Sequence, residues 1–269
     1  MGNGSNAADQ LAGLFAWRQL VVDLTRAELR RENARLILGS LWWIADPLLQ
    51  MGVYTLLVSV ILARPQPDYA LFILAALIPW KGLSASITSG STAVTGNERI
   101  VRQLVFPRIV LPVARLTAQL WRLLIAVLAM VAMMLVFWPD RASTQLAWLP
   151  ALVLVEVVFL LPFVIALSAA TVFVRDLTNL LRHVMRFGLY LSPVLYSVEQ
   201  VIDRVPPPVT FIYQFNPAVP LLEAYRDVVY RGVPPQVTDL FLPLGVGLVL
   251  LVPALAWFGR VERRLGKLL

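Results

Sequence analysis

The stretch WLPALVLVEVVFLLPFVIALSAATVFV, residues 148–174, decides the fold class of this chain. Its one ionisable side chain is that of Glu156. A helix of about 20 apolar residues spans the hydrocarbon core of a bilayer. In water, this stretch would expose more apolar surface than a soluble monomer carries. We therefore expect the chain to lie in a membrane and to act across it.

The composition of the whole chain fits a polytopic membrane protein. Of its 269 residues, 59% are hydrophobic and 14% are charged, whereas soluble domains have roughly 25% charged residues. The chain has no cysteine, which excludes disulfides, thiolate zinc sites and a haem thiolate. Because His183 is the one histidine, we expect no metal site in this chain.

Six hydrophobic segments are separated by more polar connections. Their approximate ranges are 41–62, 69–92, 110–138, 148–174, 187–196 and 240–258. The fifth is the weakest, because it is short and runs into a proline-rich stretch. The sequence predicts an all-α integral membrane protein with about six transmembrane helices. Residues 1–38 would form a cytoplasmic N-terminal region, 39–260 the transmembrane domain and 261–269 a cytoplasmic tail.

The distribution of basic residues predicts the orientation of the chain. If successive segments cross in alternate directions, most basic residues outside the segments or near their ends face one side: Arg18, Arg26, Arg30, Arg31, Arg35, Arg99, Arg102, Arg108, Arg115, Arg175, Arg182, Arg186, Arg260, Arg263, Arg264 and Lys267. Cytoplasmic loops carry such an excess, so both termini are expected in the cytoplasm. A nucleic-acid-binding surface is the alternative explanation of the pI near 10.2.

Two segments outside the apolar ones have recognisable character. Residues 15–38 place Leu20, Leu24, Ala27 and Arg31 on one helical stripe, but the segment is too charged to cross. It is predicted to be an amphipathic helix at the cytoplasmic interface, or alternatively a soluble helix that caps a neighbour.

On the opposite side, prolines within residues 196–235 prevent one continuous helix. Residues 218–230 nevertheless have helical spacing, which predicts a short re-entrant helix. Irregular backbone at membrane depth is tolerated only where it is buried in protein or faces water, so this segment would line or cover something. An ordinary exposed loop is the alternative.

Apart from Arg115, near the start of its segment, four ionisable residues fall within the apolar segments: Asp46, Lys81, Arg122 and Glu156. Such groups are costly inside a bilayer and are functional candidates by default. We expect an ion pair between Glu156 and Arg122, unless Arg122 extends to the cytoplasmic surface. Lys81 either pairs with Asp46 or meets an anionic pyrophosphate group.

The chain lacks the motifs of the common membrane-associated enzymes. No GxxxxGK[ST] stretch is present to hold ATP phosphates, and neither HExxH nor GxSxG occurs. The sequence therefore predicts a non-enzymatic protein without its own cofactor. If the chain works by ATP, a separate subunit supplies the hydrolysis.

Three stretches of the sequence, taken in order, carry a family resemblance. They are RAELRRENARLILGSLWWIADPLLQMGVYTLL at 26–57, ALIPWKGLSASITSGSTAVTGNERIVRQLVFPRIVLPVARL at 76–116, and YLSPVLYSVEQV with FNPAVPLLEAYRDVVYRG within 190–232. Together they resemble the membrane subunit of ABC-2 type exporters. The branch they resemble exports lipid-linked polysaccharides such as O-antigens, teichoic acids or galactans.

This resemblance implies the permease subunit of an exporter in the bacterial cytoplasmic (inner) membrane. A homodimer of the chain would form the pathway, and two ATP-binding ABC subunits would hold ATP and Mg. The substrate would be a lipid-pyrophosphate-linked glycan. An exporter of a small lipid or drug, an integral membrane enzyme and an assembly factor of glycan biosynthesis are the alternatives.

The resemblance also implies roles for two sets of residues. The cytoplasmic loop at 96–112 would dock into the ATPase subunit through Asn97, Glu98, Arg99, Arg102, Gln103, Phe106 and Arg108. In this loop the Glu98–Arg102 spacing supports a short helix, and Phe106 before Pro107 would end it. A plain basic loop is the alternative.

Aromatic residues would line the translocation path, because their faces stack on the C–H faces of sugars. The candidates are Tyr54, Phe72, Trp80, Phe187, Tyr190 and Tyr196. The alternative is that these side chains collect at the membrane boundaries, as tyrosine and tryptophan commonly do.

Overall fold

The structure, a computed structural model, describes residues 14, 16–33, 38–61, 67–202, 213 and 215–268. In these ranges the helices are α1 (Arg18–Asn33), α2 (Trp42–Thr55), α3 (Tyr69–Ser91), α4 (Glu98–Gln103), α5 (Val110–Phe137), α6 (Leu149–Phe173), α7 (Leu177–Leu191), α8 (Val198–Ile202), α9 (Ala218–Arg226) and α10 (Val237–Leu268). π-helical turns continue α2 over Leu56–Ile61 and α9 over Asp227–Arg231. This part of the chain contains no strand, which confirms the all-α prediction.

In the part of the chain that the structure describes, five helical segments are long and apolar enough to cross a membrane. They are Gly39–Ile61, Tyr69–Ser91, Val110–Phe137, Thr144–Phe173 and Val237–Glu262. They coincide with the first four predicted segments and the sixth, although the last is longer than predicted at both ends. The chain is therefore a multi-pass membrane protein.

The predicted fifth segment, 187–196, is not among these five. Its first part belongs to α7, a 15-residue helix that ends at Leu191 and carries exposed arginines. The residues of α7 and those that follow it to Leu195 nevertheless run beside α3, from one end of the bundle to the other. Tyr69 Oη, at the first residue of α3, donates to the carbonyl of Leu195 at 2.8 Å. At the other end of α3, the Thr171 hydroxyl of α6 donates to the carbonyl of Ser91. The segment that runs back beside α3 is thus amphipathic rather than apolar.

α3 and α6 form the centre of the bundle, and α2 lies at its periphery, where Pro47 is buried and its other residues are half-buried or exposed. Close packing depends on glycines at two helix crossings. Gly90 of α3 faces the side chain of Val164 in α6, and Gly247 of α10 faces the backbone of Val158 and Phe159. Small residues allow helix backbones to approach closely where burial in lipid supplies no other driving force.

Substituting Gly247 by alanine is expected to destabilise the protein. The added Cβ would lie 2.6 Å from the carbonyl oxygen of Val158, so α10 and α6 must separate, at a cost of about 1–3 kcal/mol. Gly245→Ala is the matched control, because its Cβ would meet nothing within 4 Å. Thermal unfolding in detergent measures both. Equal melting temperatures for the two variants would contradict the close crossing.

α1 packs on the first turns of α5 through polar contacts. Thr25 Oγ1 donates to the carbonyl of Ala114 at 3.2 Å, and Glu28 pairs with Arg115. The buried stripe is therefore Thr25 with Glu28, whereas Ala27 of the predicted apolar stripe is exposed. α1 thus packs on a neighbouring helix, and its place at the cytoplasmic interface stays a prediction.

The two ends of the bundle differ in what they hold. At one end, the α1 end, lie α1, α4 and the last turns of α10, where the backbone N–H of Arg108 donates to Glu262 Oε1 at 2.7 Å. At the other, the α9 end, lie the start of α3 and the segment from α8 to the start of α10. Predictions that concern residues 1–13, 15, 34–37, 62–66, 203–212, 214 and 269, Arg35 among them, fall outside the described residues.

Candidate translocation path and subunit-docking loop

A cavity of about 420 Å³ lies between α2, α3 and α7. Its charged lining residues are Asp46, Lys81, Arg182 and Arg186, and its apolar ones include Leu77, Trp80, Met185 and Leu189. Lys81 Nζ forms an ion pair with the carboxylate of Asp46. Of the two predictions made for Lys81, the pairing with Asp46 is therefore confirmed. We call this space the α2–α3–α7 cavity.

A second cavity, of about 350 Å³, lies on the other side of the same ion pair, between α2, α3 and α5. Arg122 lines it, with its guanidinium carbon 5.5 Å from the centre of the Trp43 ring. The same guanidinium donates to Gln119 Oε1 at 3.2 Å. The Asp46–Lys81 pair thus separates two polar spaces within the membrane-spanning part of the protein.

Glu156 has a different partner from the one predicted. Its side chain is fully buried in α6, and Oε2 accepts a hydrogen bond from Tyr225 Oη at 3.0 Å. The predicted ion pair with Arg122 is wrong, because Arg122 bonds Gln119 beside Trp43 instead. The contact with Tyr225 joins the centre of the bundle to α9.

Substituting Tyr225 by phenylalanine is expected to lower the free energy of unfolding. The change leaves the buried Glu156 without this donor, which costs about 1–3 kcal/mol. Tyr230→Phe is the matched control, since its hydroxyl bonds the carbonyl of Pro67 at a more exposed place. Unfolding in detergent, followed by circular dichroism, measures both. A Tyr225→Phe protein as stable as the control would contradict a structural role for this hydrogen bond.

α9 is the predicted re-entrant helix, and it is buried in protein. All its residues except Pro220 are buried, and it packs against α3, α6 and α10. The alternative of an ordinary exposed loop is therefore wrong for residues 218–229. The neighbouring prolines at 206–208 lie outside the part of the chain that the structure describes.

An arginine network at the α9 end escaped the sequence analysis. The Arg226 side chain is 0% exposed, lies 3.8 Å from the centre of the Phe72 ring, and donates to Glu223 Oε1 at 2.7 Å. It also donates to the carbonyls of Val194 and Tyr196, which ties α9 to the end of α7. No local sequence pattern indicates this role of Arg226.

Arg231 extends the same network towards the surface. Its guanidinium donates to Asp227 at 2.6 Å and to Glu223 at 2.8 Å. Partial burial opposes the charge of Arg231, but these two carboxylates outweigh it and raise the pKa of the guanidinium. Arg231 therefore carries a fixed positive charge that balances the carboxylates around Arg226.

Five of the six aromatic candidates for the path divide into three groups. Phe187 and Tyr190 of α7 are 62% and 52% exposed. Tyr54 of α2 is half-buried, its hydroxyl lies close enough to that of Tyr190 to interact, and Tyr196 is likewise half-buried. Trp80 is mostly buried against Gly188, but it borders the α2–α3–α7 cavity.

Phe72 does not belong with the other aromatic candidates. Its ring is 2% exposed and packs between Tyr69, Tyr230 and the guanidinium of Arg226. The prediction that Phe72 lines the path is therefore wrong for the single subunit. Packing around Arg226 places the ring in the core, and no local sequence pattern distinguishes this from a lining position.

The predicted docking loop has an apolar tip, but Phe106 is not part of it. Leu104 and Val105 are 58% and 99% exposed, whereas Phe106 is half-buried against the core at the α1 end. α4 ends at Gln103 because Leu104 is already extended, so Pro107 is not what ends the helix. The adjacent apolar residues Leu104 and Val105 in an otherwise basic loop are the sequence pattern that indicates this tip, and the prediction did not include them.

The other docking candidates have two different roles in the structure. Arg102 pairs with Glu98 at 2.6 Å, as predicted, and Arg99 and Gln103 are also exposed. Asn97 and Arg108 instead hold the loop in place. Asn97 Nδ2 donates to the carbonyl of Ala93 at 2.8 Å, and Arg108 contacts Glu262.

The fold and these sites define a polytopic α-helical membrane protein, with cavities among its spans that charged residues partly line and an exposed loop at one end. The sequence model of the ABC-2 type transporter family matches residues 21–230. The chain belongs to this family.

Two similar proteins extend the comparison to almost the full length. The O-antigen export system permease protein RfbA of Myxococcus xanthus is 27% identical over 247 residues, covering 91% of this chain and 93% of that protein. The protein of the same name from Klebsiella pneumoniae is 25% identical over 252 residues, covering 93% and 95%.

Proposed function

We propose that this chain is the permease subunit of an ATP-driven exporter that moves a lipid-linked polysaccharide of the O-antigen type across the bacterial cytoplasmic membrane. The observation that carries the proposal is the order of features along α2 and α7, where a charged cavity is followed by aromatic side chains. The charged α2–α3–α7 cavity adjoins Trp80. Further towards the α9 end follow Tyr54, Phe187 and Tyr190, which are half-buried or exposed. The full-length similarity to O-antigen permeases supports the cargo class.

A second copy of the chain completes the path. α7 presents an exposed apolar stripe at helical spacing, formed by Leu180, Val184, Phe187 and Leu191. α2 flanks the same cavity and, apart from Pro47, is half-buried or exposed. One subunit thus supplies one wall of the conduit. In a homodimer that brings these faces together, the second subunit supplies the opposite wall.

The ATPase subunits bind at the α1 end, which faces the cytoplasm. Basic residues concentrate there, on α1 and around α4, as cytoplasmic segments require. Val105 and Leu104 provide the apolar centre of a contact, and the exposed Arg102 and Arg99 provide its charged rim. Interfaces commonly have this arrangement. ATP and Mg belong to the partner subunits, two of which serve the homodimer.

Movement of the docking loop is transmitted by an ion pair and by hydrogen bonds at the α1 end. Arg115 with Glu28 joins α5 to α1, and Arg108 with Glu262 joins the loop to α10. When the ATPase subunits close, these contacts make α1, the loop and α10 move together. The two permease halves then shift as rigid bodies, and the glycan advances past the aromatic side chains.

The test is the fate of lipid-linked glycan in cells that lack the chain. Surface polysaccharide is expected to disappear while its lipid-linked form accumulates on the cytoplasmic face. Both should be restored by a plasmid copy. Normal surface polysaccharide, together with increased sensitivity to apolar drugs, would contradict a glycan cargo and favour a small-molecule exporter.

A further inference from the structure

Gly188 of α7 lies closer to Trp80 of α3 than a residue with a Cβ atom would permit. A Cβ built at position 188 would lie 2.7 Å from Trp80 Cη2 and 2.9 Å from Cζ2. Carbon atoms in van der Waals contact are about 3.5–4.0 Å apart. Even an alanine at this position would therefore push the helix or the indole ring aside by about 1 Å.

This contact belongs to the face by which α7 packs on the bundle. Leu181, Met185 and Gly188 follow one another at helical spacing, with Leu181 buried and the other two half-buried. Phe187 and Tyr190 are exposed on the other side of the helix, as 3.6 residues per turn require. The distance between α7 and α3 at Gly188 thus determines how far these two aromatic side chains project from the subunit.

The segment that follows Gly188 is fastened to its neighbours. Tyr69 of α3 donates to the carbonyl of Leu195 at 2.8 Å, and Arg226 of α9 donates to the carbonyl of Val194 at 2.8 Å. α7 therefore cannot relieve a clash at Gly188 by moving as a whole away from the bundle. The clash must displace the middle of α7 or the ring of Trp80.

Both displacements put bulk into the proposed path. The Trp80 ring is 6% exposed and borders the α2–α3–α7 cavity, so the cavity is the space into which the ring can move. If α7 moves instead, it carries Phe187 and Tyr190 outwards, towards the second subunit. In a homodimer the same shift occurs on both walls, which narrows the conduit by about 2 Å.

We propose that Gly188 sets the width of the translocation path and so limits the bulk of the glycan that the exporter accepts, an inference that rests on the proposed function. Gly188 is a positioning residue, because it acts through Trp80, Phe187 and Tyr190 rather than by contact with the glycan. A side branch widens a glycan by a whole sugar ring. Branched chains are therefore the first to be excluded when the path narrows, whereas unbranched chains of the same sugars still pass.

The experiment compares two forms of the same glycan in cells whose own copy of the chain is replaced by a plasmid copy. One form is unbranched, and the other carries single-sugar branches added by a cytoplasmic glycosyltransferase. Pulse-labelling measures the rate at which each form reaches the surface. Gly188→Ala is expected to lower the ratio of the branched to the unbranched rate about tenfold, since overpacking opposes the wider path that the branch needs. Gly245→Ala is the matched control, because its Cβ would meet nothing within 4 Å.

Substituting Trp80 by phenylalanine distinguishes a positioning role from a merely structural one. Phenylalanine lacks the part of the indole ring that contains Cη2 and Cζ2, the two atoms nearest to position 188. The double variant Gly188→Ala/Trp80→Phe is therefore expected to restore the wild-type ratio of the two rates. Trp80→Phe alone is expected to raise the rate of the branched form, and this result is measurable even if Gly188→Ala does not fold.

Three outcomes would overturn the inference. They are a wild-type ratio in Gly188→Ala, a loss of both glycan forms by the same factor, and a Trp80→Phe protein that exports the branched form no faster than wild type. If glycan reaches the surface without the chain, the proposed function is wrong and the inference is lost with it. If export requires the chain but every variant keeps the wild-type ratio, the inference alone is wrong.

Discussion

Replacing Val105 by aspartate is expected to abolish glycan export while leaving the protein folded in the membrane. The Val105 side chain is 99% exposed at the tip of the docking loop, so the change removes no contact within the subunit. At the centre of an interface, an aspartate must lose its water without a partner, and changes at such positions cost about 2–4 kcal/mol or more.

The measurement is co-elution of the tagged permease with its ATPase subunit in detergent, alongside surface polysaccharide in cells. Val233→Asp is the matched control, because Val233 is also exposed and lies at the α9 end, beyond α9. It should elute with the ATPase and export normally. A Val105→Asp permease that still forms the complex would show that the docking surface lies elsewhere.

Replacing Arg226 by methionine is expected to cause the largest loss of stability. The Arg226 side chain is 0% exposed, and its removal leaves Glu223 and the carbonyls of Val194 and Tyr196 without this donor. Breaking a buried ion pair by removing one partner costs about 3–5 kcal/mol. Part of the Glu223 charge remains balanced by Arg231, which keeps the expected loss within that range.

Thermal or urea unfolding in detergent micelles measures this loss. Arg141→Met is the control, since Arg141 pairs with Asp68 at 2.7 Å in a more exposed place at the same end of the bundle. Exposed pairs contribute about 0–1 kcal/mol. If the two variants unfold alike, Arg226 is not the link between α9 and α7 that its contacts indicate.

Hydropathy predicts those spans that are apolar all round, because bilayer thickness imposes their length. It fails for α7, which carries Arg182 and Arg186 towards a polar cavity and apolar residues towards the other side. A helix that faces water on one side is amphipathic, so its mean hydropathy falls although it runs along α3 like its neighbours.

Side-chain partners could be predicted only where the two residues are close in the chain or where few candidate partners exist. The i,i+4 pair of Glu98 and Arg102 follows from helix geometry. In contrast, Glu156 bonds Tyr225 across 69 positions of sequence. That contact depends on how deeply α9 enters the bundle. The same holds for Phe72. Its ring packs beneath the Arg226 guanidinium and therefore does not line the path.

The central claim is that this chain forms the conduit and that a separate subunit hydrolyses ATP. It is tested most directly in proteoliposomes that contain lipid-linked glycan. With the permease and its ATPase together, ATP should move glycan across the bilayer, and with either protein alone it should not. ATP hydrolysis by the permease alone, or a functional ATPase complex that moves no glycan, would contradict the claim.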